Sequence, residues 1–330
     1  MNFLIIGYGS IGKRHASNLS ELGVNCLIVD TKSSRLKEAL EHGYIGYDSL
    51  NSVDSNEPFE AVVICSPPVF HVEQTIWALG RNKKIFLEKP IGINFKECNT
   101  ILSLDFEKIF VGYNYRWNPQ FIKLQKHIDR GLIKNPFFAN FIIGMHLEDW
   151  HPWENYRDFF MSNKSQGGGA LLDESHFLEL IIEIFGIPLS VMAKQLKISS
   201  LEIDTDDYVS AQFLFHNLLV EMRLDLFRRP HESLIQIYGE DSSITCNFLN
   251  KINTVTISKS CAEPERIIRR FKYERNDVFV DMMKDFVKFV NSDNVLPRVT
   301  FLRALEVMFL IEKIRESSQT NHWLKVDKQI

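Results

Sequence analysis

Read from the N-terminus, the apolar pattern opens with a short continuous run at residues 3–6, inside "NFLIIGYGSIGKRHASNL". A glycine turn follows, and then a helix with Ile11, Ala16 and Leu19 at its apolar positions. "NCLIVD" reads as a second strand. After it come "EAVVICSPP", a helix over about 71–78, "KKIFLEKP", a helix over 94–104, and "KIFVGYN". Strand and helix in alternation predict an α/β domain, a doubly wound parallel sheet of the Rossmann type. In such sheets ligands bind beyond the carboxyl ends of the strands, where "CSPP" and "EKP" fall.

The texture changes from Asn118. A helix over about 120–130, closed by Gly131, leads into "FFANFIIGMHL", a strand rich in aromatic and branched residues. Further strands are predicted at "SVMAKQLKI", "DYVSAQFLF", "LLVEMRLDLF", "SLIQIYG" and "SSITCNF". Only "HN" separates the second and third of these, a two-residue connection of the kind that closes a hairpin, so the sheet reads as antiparallel. The boundary falls near residue 117, dividing the chain into one domain over 1–117 and a second over 118–330. Two late helices, about 278–290 and 301–316, carry apolar stripes that include Phe279, Met282, Met283, Phe286 and Phe289, read as core packing.

Within the second domain, before "SVMAKQLKI", lies "GGGALLDESHFLEL", residues 167–180. Drawn as one helix, it sets Phe177, Leu178, Leu180, Ile181, Ile184 and Phe185 on an apolar arc, with Asp173 at its edge. His176 follows one turn after Asp173, and Glu179 and Glu183 share its polar side. Gly186 and Pro188 supply the stop.

Composition narrows the possibilities. The chain has 330 residues, enough for two domains, with 45% apolar and 24% charged residues, the mixture of a soluble globular protein. A net charge of -4 with scattered Lys and Arg gives no basic stripe for nucleic acid. Five separated cysteines without a CxxC pair suggest neither disulfides nor a metal site and fit a reducing cytoplasm. No apolar stretch reaches the ~18 residues a membrane span needs.

Gly7, Gly9 and Gly12 form GxGxxG, with Ser10 and Ile11 opening the helix that would face a pyrophosphate. Asp30 closes the second strand, where a carboxylate accepts the ribose hydroxyls and repels a 2′-phosphate. NAD is therefore expected in preference to NADP, although Lys32 and Arg35 lie nearby. Ser66, Pro67, Glu88 and Lys89 occupy the strand ends where the cofactor would lie. Lys89 is either a surface cation or, beside a nicotinamide, a group that favours an anionic oxygen on the substrate, its direction fixed by Glu88 and Pro90. His71, at a helix start, receives no role.

Asp173 can serve simply as a carboxylate at a helix N-terminus, and His176 as a hydrogen-bonded interface residue. In an alcohol oxidation they become the base and its orienting acid, because histidine titrates near ~6.5. In "HLEDWHPWENYRDFF" the residues Trp150, His151, Trp153, Tyr156 and Arg157 either pack the loop onto the core or meet a sugar, aromatic faces on C–H surfaces and arginine on an anionic group. Arg116 and Trp117 in "YRWNP" are a similar case, and together they tilt the expectation towards a sugar bearing an anionic group.

"GYGSIG", "ICSPPVFHVEQTIWAL", "IFLEKPIG", "GYNYRWNP" and "GGGALLDESH", in this order over nearly the whole chain, resemble the glucose-fructose oxidoreductase, inositol dehydrogenase and MocA family. The resemblance implies a Rossmann domain, then an α+β domain with a large, mainly antiparallel open sheet, and an active site between them. It implies Lys89, Asp173 and His176 as catalytic residues, NAD(P)-linked hydride transfer on a sugar, sugar derivative or nucleotide-sugar, and a homodimer or homotetramer. Two departures stand out. "DESH" places the histidine three residues after the acid instead of four, as in a branch that resembles surface-glycan and nucleotide-sugar enzymes. Glu179 stands where that branch usually has Asp. Other proteins similar to this family are NAD-dependent glycosidases, and a dinucleotide-sensing regulator on the same fold is a third reading, against which the Lys89, Asp173 and His176 set argues.

Overall fold

The continuous apolar runs become the parallel strands of one sheet in the computed structural model, which describes residues 1–54, 56–150, 152, 154–257 and 265–327. In chain order the elements are β1 (Asn2–Ile6), α1 (Ser10–Glu21), β2 (Asn25–Val29), α2 (Ser33–Glu41), β3 (Ile45–Tyr47), β4 (Ala61–Ile64), α3 (His71–Gly80), β5 (Lys84–Leu87), α4 (Phe95–Asn99) and β6 (Ile109–Val111). All pairs are parallel, in the order β3-β2-β1-β4-β5-β6. Phe3, Leu4 and Ile5 have no solvent exposure, which is why β1 reads as a solid apolar run and not an alternating one. The helix predicted over 94–104 is shorter. Asn94 caps α4 by accepting from the Glu97 N–H at 2.9 Å, and after Asn99 the chain tightens into a 3-10 turn, Thr100–Ser103. There the Thr100 hydroxyl donates to the Glu97 carbonyl and the Ser103 hydroxyl to the Thr100 carbonyl, competing with the helical ladder.

Next come α5 (Pro119–Asp129), β7 (Phe138–Gly144), α6 (Ala170–Asp173), α7 (His176–Phe185), β8 (Ser190–Leu196), β9 (Tyr208–Leu214), β10 (Leu219–Asp225), β11 (Glu232–Tyr238), β12 (Ser242–Asn247), β13 (Ile252–Ile257) and β14 (Glu265–Arg270). With β15 (Leu324–Lys325) they build a nine-stranded sheet, β14-β13-β12-β11-β7-β10-β9-β8-β15. It is antiparallel except for β7 against β10. The "HN" hairpin is present, closed by the Phe215 N–H to the Leu218 carbonyl at 2.9 Å. Along β9, Val209, Ala211 and Phe213 are buried while Leu214 is exposed, the period-two pattern of a half-covered sheet. Four strands, β3 in the first sheet and β13 to β15 in the second, were not anticipated. β14 is an exposed edge of charged residues, where pattern gives little signal.

The chain then returns through α8 (Arg275–Asn291) and α9 (Phe301–Thr320). Two compact units result: Met1–Asn114 with Glu274–Leu305, and Tyr115–Tyr273 with Glu306–Ile330. The division expected at 117/118 runs the second domain unbroken to residue 330, whereas the stripe on α8 packs within the first unit. Phe286 lies with ring centroids 5.4 Å from Phe3, 5.4 Å from Phe86 and 5.7 Å from Phe110. Lys84 at the start of β5 caps the end of α8, donating to the Phe289 carbonyl at 2.7 Å and the Ser292 carbonyl at 3.2 Å.

"GGGALLDESHFLEL" is not one helix. α6 stops at Asp173, Glu174 and Ser175 make a turn, and α7 begins at His176. The Phe177 N–H bonds to the Glu174 carbonyl and the Ser175 N–H to the Leu172 carbonyl, three-residue spacings that interrupt the α-helical ladder.

Candidate active site

The first unit presents the dinucleotide residues. A Cβ at Gly12 would stand 1.9 Å from the Gly7 carbonyl oxygen, so only glycine lets α1 close on the turn after β1. No side chain caps the N-terminus of α1, whose first turn holds Ser10 and Ile11. Asp30 follows β2 and is buried; its Oδ2 accepts from the Tyr8 N–H at 2.7 Å and its Oδ1 from the Lys32 N–H at 2.8 Å. Two backbone donors thus fix the carboxylate where a ribose would be met. Arg35 is 3.9 Å from Asp30 and also stands beside Gly9. A glycine cradle, an uncapped helix start and an oriented carboxylate fit a dinucleotide.

Ser66 and Pro67 follow β4, and the Ser66 hydroxyl donates to Gln74 Oε1 at 2.6 Å. Glu88 and Lys89 follow β5. Glu88 Oε1 is 2.7 Å from Nε2 of His15, which has no exposure, and Glu88 Oε2 accepts from the Lys89 N–H at 3.2 Å. His15 escaped the sequence reading. Its only signal is a histidine three residues past Gly12 on a helix that otherwise reads as packing.

In the second unit, the three glycines have a cause. Gly169 has φ +112°, and a Cβ there would lie 2.3 Å from Asp206 Oδ1. Asp206 ties down the start of α6: its carboxylate accepts from the Leu171 N–H and from Gln195 Nε2, both at 2.9 Å, and its backbone carbonyl accepts from the Ala170 N–H at 3.0 Å. Asp204 accepts from the Lys164 N–H at 2.7 Å, and Thr205 donates to the Met161 carbonyl at 3.1 Å. Burial pushes the Asp206 carboxyl above the usual carboxylate range, against the Leu171 and Gln195 donors. "DTDD" at 204–207 was missed because Asp and Thr before a strand read as an ordinary turn.

Asp173 ends α6, buried, and His176 opens α7, half-buried, its ring 5.2 Å from that of Tyr115. These two therefore sit at the two sides of one tight turn. Lys89 belongs to the first unit. Glu179 has no exposure. Arg116, expected to meet an anionic ligand, forks between Glu179 at 2.8 Å and Glu183 at 2.7 Å. Glu183 also accepts from Gln125 at 2.7 Å. Trp117 and Tyr156 are buried, and the Tyr156 hydroxyl accepts from the Glu202 N–H at 3.2 Å. Arg157 pairs with Glu202 at 2.6 Å and lies 4.6 Å over the Tyr156 ring. Trp150 is half-buried, while His151 and Trp153 lie outside the described residues.

Residues 1–108 match the family described as "Oxidoreductase family, NAD-binding Rossmann fold", the Gfo/Idh/MocA family. A curated relative, myo-inositol 2-dehydrogenase of Thermotoga maritima, is 22% identical over 88% of this chain and 89% of its own. The likeness to this family is thus carried by the Rossmann part of the chain, and the likeness to a dehydrogenase extends over most of its length. Another relative, inositol 2-dehydrogenase of Rhizobium meliloti, is 30% identical over 40% of this chain and 42% of its own. Two solved structures share the fold. One is levoglucosan dehydrogenase in complex with NADH and levoglucosan, with TM-score 0.87, 20% identity, and coverage of 99% of this chain and 100% of that one. The second is the WlbA dehydrogenase from Bordetella pertussis in complex with NADH and UDP-GlcNAcA, with TM-score 0.81, 18% identity, and coverage of 100% and 99%. With an NAD-binding Rossmann fold over residues 1–108 and dehydrogenases as its relatives, the protein is an NAD-dependent oxidoreductase. Among the described residues no helix is long and apolar enough to cross a membrane.

Proposed function

We propose that the protein oxidises a secondary alcohol of an uncharged sugar or cyclitol. The observation that carries the uncharged part is the state of four arginines in the second unit, among them the two expected to meet an anionic group. Arg116 is shared by two carboxylates, Arg157 is paired with Glu202, Arg228 with Asp225 at 2.7 Å, and Arg229 with Asp149 and Glu148, both at 2.9 Å. An anionic group would have to displace a carboxylate from its fork, which is costly where the carboxylate is buried, as Glu179 and Asp225 are. The relatives that act on inositol, and the neighbour whose title names levoglucosan, support this class. UDP-GlcNAcA stands on the other side.

In this reading His176 takes the hydroxyl proton, Asp173 holds the turn from which His176 projects, and Lys89 stabilises the negative charge growing on the oxygen. Bound NAD supplies the acceptor for the hydride. In reduction the same groups run in reverse. The test follows NADH absorbance with inositols, anhydrosugars, aldoses and a UDP-sugar acid. The expected result is turnover with an uncharged polyol, lost by at least about a hundredfold in His176→Ala. Turnover confined to the UDP-sugar acid would reject the uncharged class, and full activity in His176→Ala would reject the base.

A further inference from the structure

His71, which neither the sequence reading nor the chemistry above uses, opens α3 and is almost wholly buried. Both of its ring nitrogens face carbonyl oxygens: Nδ1 is 2.7 Å from the Pro90 oxygen and Nε2 is 2.8 Å from the Ser66 oxygen. A neutral imidazole has one N–H and one lone pair, so it can donate to only one of them. The other contact would then set a nitrogen lone pair against a carbonyl at hydrogen-bond distance. Two ring protons satisfy both.

The positions of the two carbonyls matter. Ser66 lies in the turn after β4, and Pro90 directly follows Lys89 at the end of the neighbouring strand β5. On the other side of Lys89, Glu88 is held by His15 and accepts the Lys89 N–H. The lysine's backbone is thus bracketed by two buried histidines. We propose that His71 is a positioning residue for Lys89: its ring ties the lysine's segment to the turn after β4, and the tie is complete only when the ring carries both protons. The proposal rests on the reading of Lys89 as the group that stabilises the substrate oxygen.

Burial pushes the ring below the usual histidine range, the Pro90 and Ser66 carbonyls and the Glu88 charge pull it up, and the Lys89 charge adds to the lowering. The second proton therefore leaves on the acid side of about 6.5. Below that point both ties hold; above it one opens.

The direct test is nitrogen NMR of the full-length protein labelled at histidine, with the His71 signals assigned by their loss in His71→Gln. The expected result is two protonated ring nitrogens in acid, one of which loses its proton at a midpoint below that of the exposed histidines. A single neutral tautomer across the whole range overturns the proposal without reference to activity. Kinetics test the link to Lys89. At pH below the His71 midpoint, where wild type holds both ties, His71→Gln, which keeps one donor, should lower kcat about fivefold to tenfold, as expected for one hydrogen bond, with KM for the sugar unchanged. His71→Leu should lose more, and the ratio of wild-type to His71→Gln turnover should grow as pH falls. The residual turnover of Lys89→Ala should be indifferent to His71→Gln; a second equal loss there overturns the positioning role. If Lys89→Ala retains wild-type turnover, the reading of Lys89 itself has failed, an outcome the NMR result does not share.

Discussion

Arg116 places one cation between two carboxylates, and Glu179 meets it with no solvent exposure. Breaking a buried pair leaves a charge that water cannot reach, so Arg116→Met should cost about 3 kcal/mol or more in urea unfolding. Arg116→Lys should recover part of this, since an ammonium can neutralise but cannot fork. A double Arg116→Met, Glu179→Leu variant should recover part of it, because the fully buried charge is gone and Glu183 keeps its hydrogen bond from Gln125. NAD affinity should stay within twofold throughout, since the dinucleotide residues lie in the first unit. The pairing was not legible in the sequence. Arg116 and Glu179 are 63 residues apart and each is polar on its own, so nothing in the spacing distinguishes a ligand-binding arginine from one already engaged.

At the scale of elements, the glycines at 167–169 were legible as a place of close approach, but the group approached was not. Asp206 reaches them from the strand side, and no local pattern points there. The same blindness joined α6 and α7 into one helix: periodicity carries through Glu174 and Ser175 although the hydrogen-bond ladder does not. Gly169→Ala should cost about 1–3 kcal/mol from its positive φ alone, with more from the collision with Asp206. For Asp206→Asn the expectation is a pH dependence. An acid held above its unfolded value withdraws stability as pH rises through the carboxylate range. The Asn variant keeps an acceptor for the Leu171 N–H and has no charge to bury, so its stability relative to wild type should improve from pH 3 to 7 in thermal melts, where a constant difference would mean the carboxyl is not perturbed.

For the whole molecule, the fold class was legible because parallel strands buried on both faces and antiparallel strands covered on one face write different patterns. Asp30 after β2 and the glycine spacing gave the cofactor for a similar reason, since local geometry dictates both. The return of residues 274–305 to the first unit was not legible: an apolar stripe says that a helix is buried and is silent about its partner. That return makes the dinucleotide-binding unit depend on residues 274–305, far beyond its last strand, which ends at Val111, a dependence that can be measured. Phe286 packs against Phe3, Phe86 and Phe110 on three different strands, so Phe286→Ala should cost about 3–5 kcal/mol by opening a cavity beneath the sheet. NAD binds the same unit and at a hundredfold excess over its Kd restores about 2.7 kcal/mol by mass action. Calorimetry should therefore show a transition lowered by Phe286→Ala and largely recovered by saturating NAD. If NAD raises one transition while Phe286→Ala lowers another, α8 does not stabilise the unit that holds the cofactor.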